Sequence, residues 1–387
     1  MIEATGSLVS ADVQLDEARQ VKARQYARIR RRLWLIDMLI SAFYAIAWLV
    51  SGWSLSLRTW LTGWISNEWL LVAVFAAIFV GIFSFLTLPL GYYGGYVLPH
   101  AFGQSNQTFK GWLVDQVIGV LIGAPLGLIL LELLYLALRV SGSWWWLWAA
   151  GGLLIFQVLL TNLAPVLLMP LFNKFVPLGE EHANLAERLV ELAKKTKTNV
   201  RGVYKFDMSR RTKAANGALT GIGNTRRIVL GDTLINEFTP DEIEVILAHE
   251  LAHHVHHDIP ILIGFQALVT TVGLYIASLV MNWLVKVLGL NGVADIAGLP
   301  ALMLVLGGYS LFSMPIENAF SRWRETKADD FALQLTGKNL AKASALTRAA
   351  NQNLGEIDPE RWVVWLFYDH PPLGERIEKA KNWKPSL

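Results

Sequence analysis

Cysteine is absent from all 387 residues. Disulfides are therefore excluded, and any bound metal must be held by His, Asp or Glu rather than thiolate. Charge is scarce as well. Asp, Glu, Lys and Arg make up 17% of the chain, while apolar residues make up 53%. A soluble domain carries about a quarter charged residues, so this balance points to a membrane protein. The net charge of +3 is too small to suggest nucleic acid as a partner. A signal peptide is not expected, because the first apolar stretch begins after residue 32 and no small-residue cleavage site follows it. Tryptophan is abundant, at sixteen residues, and indole rings favour the membrane–water boundary.

Six stretches are long and apolar enough to span a bilayer, which takes about 20 residues each. They fall near Leu33–Ser54, Trp69–Leu98, Leu113–Leu138, Trp144–Phe172, Ile259–Val285 and Ile296–Phe320. The second is interrupted by Pro89, Gly91, Gly94 and Gly95, whose freed backbone groups neighbouring helices can satisfy. The expected organisation is a tail over 1–32, four spans over 33–172, a soluble segment over 173–258, two spans over 259–320 and a soluble segment over 321–387. The fold class expected is mainly α and polytopic: a ring of about six transmembrane helices with a zincin-like α/β portion.

Lys and Arg number seven in the N-terminal tail, twelve in 173–258 and eleven in 321–387, against one in each of the four remaining connections. Under the positive-inside rule the N-terminus, both soluble segments and the C-terminus are cytoplasmic. The basic run Arg30-Arg31-Arg32 reads as a solvated flank of the first span, with a helix over Glu17 to Arg32. Asn106-Gln107-Thr108 matches a glycosylation acceptor but lies on the cytoplasmic side of this topology, so it reads as a chance match.

Within 173–258, His182 to Lys195 reads as an amphipathic helix with Leu185, Leu189, Leu192 and Ala193 on one face. Val200–Phe206 and Arg227–Leu230 read as strands, with Gly217, Gly221 and Gly223 between them. Thr239-Pro240-Asp241-Glu242 is a helix start: a capping Thr, Pro at the first position and acids in the first turn. That helix runs into His249-Glu250-Leu251-Ala252-His253. Residues four apart share a helix face, so His249 and His253 can grip one zinc ion. Glu250 is offset so that its carboxylate can reach the water the metal activates and act as catalytic base. His254, His256, His257 and Asp258 read as a structural or solvated patch. The position ten residues after His249, where one class of zinc proteases has a third His, is Ile259. A catalytic zinc needs a third protein ligand, and Glu325 is the best candidate. It follows the sixth span, which returns the chain to the side of His249. Asp329, one turn further on the same face, is suited to orient His249 or His253 through its free ring nitrogen. The alternative for Glu325 is pairing with Arg322 or Lys327 on an exposed helix.

These residues resemble the type I CAAX prenyl endopeptidases, integral-membrane zinc proteases. Asn318-Ala319-Phe320-Ser321-Arg322 with Glu325, Ala328 and Asp329 is similar to one family segment. Tyr368-Asp369-His370-Pro371-Pro372-Leu373 with Glu375-Arg376 is similar to another. Ala164-Pro165 with Pro170 to Phe175, and Ser209-Arg210-Arg211 with Ala215-Asn216 and Arg227 to Leu234, extend the likeness in order from about Phe102 to Arg376. The resemblance implies hydrolysis beside a C-terminal cysteine bearing an isoprenyl group, releasing the last three residues. It also implies helices around an intramembrane chamber. It assigns zinc to His249, His253 and Glu325 and the base to Glu250. Asp329 occupies the position often described as a proton donor. His370 and Arg376 match positions that meet the substrate carbonyl or oxyanion and the C-terminal carboxylate. Asn216 matches a residue on an edge strand that holds extended substrate. Partners are thus a peptide or protein substrate, prenylated at its cysteine in the family's reaction, and the lipid bilayer. Eukaryotic members have seven spans against six here, and the family's Tyr-Phe after the Asn is Gly217-Ala218-Leu219. With the absence of cysteine and the shorter loops, these departures suggest a prokaryotic cell membrane and put the prenylated substrate in question. Two rivals remain: a quality-control zinc protease of the same clan, and a non-catalytic transporter or scaffold. Few charges lie in the spans to support the latter: Asp37, Asp115, Glu132 and Glu317.

Overall fold

A computed structural model describes residues 13–385 apart from 222–225, so Gly223 lies outside the described residues. The helices are α1 (Glu17–Val50), α2 (Trp53–Thr62), α3 (Glu68–Tyr92), α4 (Leu98–Ala101), α5 (Phe109–Val140), α6 (Trp145–Leu163), α7 (Met169–Phe172), α8 (Ala183–Lys195), α9 (Asp232–Glu237), α10 (Pro240–Val255), α11 (Asp258–Leu288), α12 (Leu299–Thr336), α13 (Asn339–Gln352), α14 (Arg361–Phe367) and α15 (Leu373–Asn382). The strands are β1 (Phe175–Pro177), β2 (Val203–Phe206), β3 (Gly217–Thr220) and β4 (Arg227–Gly231).

Among the described residues, six helices are long and apolar enough to cross a membrane, as the hydropathy suggests. Large apolar side chains such as Phe85, Leu121, Trp148 and Phe312 are exposed on their outer faces. The inner faces share a core that includes Trp48, Phe75, Phe79, Tyr135 and Trp145. The buried hydroxyl of Tyr44 donates to the Phe79 carbonyl at 2.7 Å, the partner such a group needs in an apolar setting. Pro89 and its neighbouring glycines do not end the second span. Its backbone loosens instead into a π turn over Tyr93–Val97 and continues as α4. The fourth span does the same over Ala164–Leu168 before α7. Such turns absorb lost i→i−4 hydrogen bonds without leaving the helix.

Two expected boundaries are not breaks in structure. The first span and Glu17 to Arg32 form one helix, and α12 runs 16 residues past Phe320 to Thr336. Hydropathy marks where apolar character ends, and a helix can continue beyond it as polar chain. The N-terminal part is also not a solvated flank throughout. Gln20 is buried; it donates to the Gly355 carbonyl at 3.1 Å and accepts from the Ile357 N–H at 3.3 Å. Arg31 pairs with Glu356 at 2.9 Å. This end of α1 therefore docks on the loop ahead of α14.

Outside the candidate spans, the described residues form a four-stranded sheet in the order β1-β2-β4-β3. β2 and β4 are parallel and the outer pairings antiparallel. The strand expected over Val200–Phe206 shortens to β2, and that expected over Arg227–Leu230 gains Gly231 as β4. The strand β3 forms directly after Asn216, where the resemblance implied an edge strand, and Gly217 is small enough to sit against Leu234 and Leu230. Leu185, Leu189 and Leu192 of α8 pack on Val203, Ile228, Leu230, Ile243 and Leu247. α10 begins with a complete capping box. Thr239 accepts from the Glu242 N–H at 3.3 Å, and Glu242 accepts from the Thr239 N–H at 2.7 Å. Glu242 is fully buried and also accepts from Ser344 and Arg348 of α13, which fixes the helix start in depth as well as direction. Thr239→Ala should cost about 1 kcal/mol, the usual value of such a cap. Thermal unfolding in detergent should show a lowered midpoint; an unchanged midpoint would mean that the cap does not hold α10.

Candidate metal centre and its cavity

The site is assembled from α10 and α12. One turn apart on α10, His249 and His253 bring their Nε2 atoms to 3.3 Å. From α12, Glu325 sets Oε2 3.1 Å from His249 Nε2 and Oε1 3.4 Å from His253 Nε2. One ligand atom from each residue lies within 4.8 Å of the others. Four donors arranged tetrahedrally at about 2.0–2.1 Å from zinc stand about 3.3–3.4 Å apart, which these separations approach. Glu325 Oε2 is buried and has no hydrogen-bond donor among the described residues. A buried carboxylate oxygen facing two imidazoles without a donor is costly unless a cation completes the group. The residues therefore fit a metal. The pairing of Glu325 with Arg322 or Lys327 does not form. Arg322 donates to the Val364 and Tyr368 carbonyls, and Lys327 lies over the Trp323 ring.

The remaining ring nitrogens face carboxylates. Asp329 Oδ1 lies 3.0 Å from His249 Nδ1, in a bent ion-pair contact rather than a linear hydrogen bond. Asp258 Oδ2 lies 2.7 Å from His253 Nδ1. Of the structural or solvated roles expected, Asp258 takes the structural one: only 1% exposed, it opens α11 after His257, whose backbone is left-handed at φ 53°. Arg324, beside Glu325 and itself buried, donates to Asp258 from Nε at 2.6 Å and also from Nη2, and to the His256 carbonyl at 3.0 Å. Neither Asp258 nor Arg324 stood out in the sequence. The available signal was an acid at the turn just beyond the HExxH helix and a cation next to the third candidate ligand.

Asp329 is the meeting point of a second cluster. Lys342 donates to its Oδ1 at 2.6 Å, and Arg376 donates from Nε to Oδ2 at 2.7 Å and from Nη2 to Oδ1 at 2.8 Å. Arg376, expected to meet the substrate, therefore has two of its nitrogens engaged with a protein carboxylate. Burial pushes the Lys342 ammonium below the ordinary lysine range, against the pull of Asp329. His370 is half-exposed, with Nε2 3.3 Å from Glu325 Oε2 and Nδ1 2.8 Å from Asp369. The hydrogen bond from His370 holds the Asp369 carboxyl below its ordinary range. Burial raises the Glu250 carboxyl above the ordinary glutamate range. A cavity of about 330 Å³ adjoins all of this, lined among others by Asn216, Glu250, Lys342, His370 and Arg376. Asn216 immediately precedes the edge strand β3, and its carbonyl accepts from the Gly231 N–H at 2.8 Å.

A family model described as CAAX prenyl protease N-terminal, five membrane helices, matches residues 7–174, and one described as Peptidase family M48 matches residues 180–384. The chain belongs to peptidase family M48. It is accordingly a multi-pass membrane metalloendopeptidase. Among relatives of this M48 protease, the uncharacterized metalloprotease YhfN of Bacillus subtilis is 31% identical over 364 residues, covering 93% of this chain and 85% of that one. The CAAX prenyl protease 1 homolog of Dictyostelium discoideum is 29% identical over 359 residues, covering 91% and 82%. The crystal structure of S. mikatae Ste24p superposes with a TM-score of 0.81 at 23% identity, covering 97% and 91%. At that identity the likeness concerns the fold.

Carboxylates that hold ligating imidazoles in place change metal affinity about 10–100-fold when altered. Asp258→Asn should therefore release metal faster under chelator than the parent protein, with the fold retained by circular dichroism. Equal release rates would show that Asp258 does not hold His253 for a metal.

Proposed function

We propose that this protease holds one zinc ion through His249, His253 and Glu325 and cleaves peptides near a lipidated C-terminus. The observation that carries the proposal is the convergence of three residues whose nearest ligand atoms stand 3.1–3.4 Å apart, with both oxygens of Glu325 facing the two imidazoles and one of them orphaned. Zinc bound there would supply a Lewis acid for the scissile carbonyl and lower the pKa of the attacking water.

The protein's own residues do the rest. Glu250, its carboxyl raised by burial, takes the proton from the attacking water and delivers it to the leaving amine. Asp329 keeps His249 in one orientation rather than acting as a proton donor, because its oxygens already accept from Lys342 and Arg376. His370, half-exposed beside Glu325, donates to the developing oxyanion. Asn216 and the open edge of β3 hold the substrate backbone extended by main-chain pairing. Arg376 acts through Asp329 and faces the cavity that takes the substrate.

A prenylated substrate is supported by the family of the N-terminal region and by relatives named CAAX prenyl protease 1. The basic residues gathered in the N-terminal tail, 173–258 and 321–387 support a cytoplasmic site with both termini on that side. The membrane would be a prokaryotic one, on the shortness of the loops and the lack of cysteine.

Purified protein in detergent should cleave a farnesylated C-terminal peptide faster than its unlipidated twin. Glu250→Gln should lower turnover by at least about a hundredfold, the scale of general base catalysis, with metal retained. Equal cleavage of both peptides would move the function to general membrane proteolysis, and near-normal turnover in Glu250→Gln would remove Glu250 as the base.

A further inference from the structure

The chain just ahead of β3 has its outer edge occupied by the protein itself. Asn353, which caps the end of α13, sets its side chain against Ala215. Its Oδ1 accepts from the Ala215 N–H at 3.0 Å, and its Nδ2 donates to the Ala215 carbonyl at 3.4 Å. One side-chain amide thereby makes both bonds that a neighbouring strand would make with that residue. The next residue, Leu354, is buried and left-handed at φ 49°, a backbone that is costly for a residue with a Cβ. Asn353 lines the same cavity as Ala215, Asn216, His249 and Glu250.

The register of β3 shows which backbone groups this closes. In an antiparallel pair, successive residues turn their N–H and C=O alternately towards the partner and away from it. Asn216 faces β4, since its carbonyl accepts from the Gly231 N–H. The pairs Gly217↔Leu230 and Leu219↔Ile228 continue that register, so Ala215, Gly217 and Leu219 face the outer edge. β3 is the last strand of the sheet. An extended chain added antiparallel to it pairs with Leu219 and Gly217 and runs its C-terminal side towards Ala215. Asn353 holds the next place in that ladder. The segment before β3 has other anchors. Gln352 donates to the Lys213 carbonyl at 2.8 Å, and the Thr233 hydroxyl donates to the Ala214 carbonyl at 2.7 Å. Neither touches the edge-facing groups of Ala215. We propose that Asn353 is a specificity-determining residue that ends the substrate ladder at Ala215, so that a substrate leaves the edge after its pairing with Gly217. The proposal rests on the peptidase reading above and deepens it to the register in which a peptide is held.

Backbone N-methylation tests the proposal, because a methylated amide cannot donate. The probe is a farnesylated peptide with several residues on each side of the cysteine, methylated at one amide at a time. In the parent enzyme kcat/KM should fall at least about fivefold at alternate amides, carried by KM, which is the effect of one hydrogen bond left unmade. In Asn353→Ala one more sensitive amide should appear, two residues beyond the last one towards the C-terminus, whatever the absolute rate. Asn353→Asp still accepts from the Ala215 N–H and should not gain it. A merely structural role would scale every peptide alike and add no sensitive position. No sensitive amide in the parent, no added one in Asn353→Ala, or an added one in Asn353→Asp would each overturn the proposal. The Glu250→Gln protein offers a test without turnover. The same peptides should show the same pattern in Kd by calorimetry, and Asn353→Ala in that background should add the same position. If the parent cleaves no peptide, the peptidase reading fails while this binding scan still decides the role of Asn353.

Discussion

The contact between α10 and α12 is the constraint on which the site depends. It brings Glu325 to two imidazoles that lie one turn apart, and it does so in a place where few of the groups reach water. Each imidazole is backed by a carboxylate, and each carboxylate is in turn backed by a cation: Arg324 behind Asp258, Lys342 and Arg376 behind Asp329. Buried charges of this kind are tolerated only when paired and hydrogen-bonded. The removal of one partner leaves its neighbours uncompensated, which costs more than the pair contributes. The cluster therefore specifies one arrangement of α10, α11, α12, α13 and α15, since those helices carry its members.

The same links join the membrane part to the chemistry. Asp258 is the first residue of the fifth span and touches His253, and Arg324 lies on the helix that continues the sixth span. A shift of either span would be felt at a ring nitrogen. On the opposite side, Arg211 joins Asp115 at the start of the third span and reaches the Phe172 carbonyl at the end of the fourth. Side-chain links thus join α10 to the fifth and sixth candidate spans and the loop between β2 and β3 to the third span and the chain end of the fourth, the kind of fixed framework preorganised catalysis requires.

Much of this was legible in the sequence because it follows from short-range rules. The six apolar helices, the capped start of α10 and the i,i+4 pair of histidines are periodic or local features. Glu325 was legible by topology, since an even number of crossings returns α12 to the side of His249. Long-range pairings were not. Asp258 reads as one more polar residue after a His-rich helix end, and its partner Arg324 lies 66 residues away. Lys342 reads as an ordinary charge on a mixed helix until α13 packs against α10. The edge strand β3 was legible only through the resemblance at Asn216, since Gly217 by itself reads as punctuation; a Cβ there would stand tightly against Leu234 and Leu230. Arg376 was legible as a functional position, but the motif alone does not reveal that its guanidinium is held by Asp329.

The most direct test of the central claim is X-ray absorption at the zinc edge on purified protein beside Glu325→Ala. The account predicts one zinc per chain with nitrogen and oxygen donors at about 2.0–2.1 Å, two imidazoles in the coordination shell, and loss of a carboxylate donor in Glu325→Ala. Three imidazoles in the parent, or an unchanged spectrum in Glu325→Ala, would contradict it.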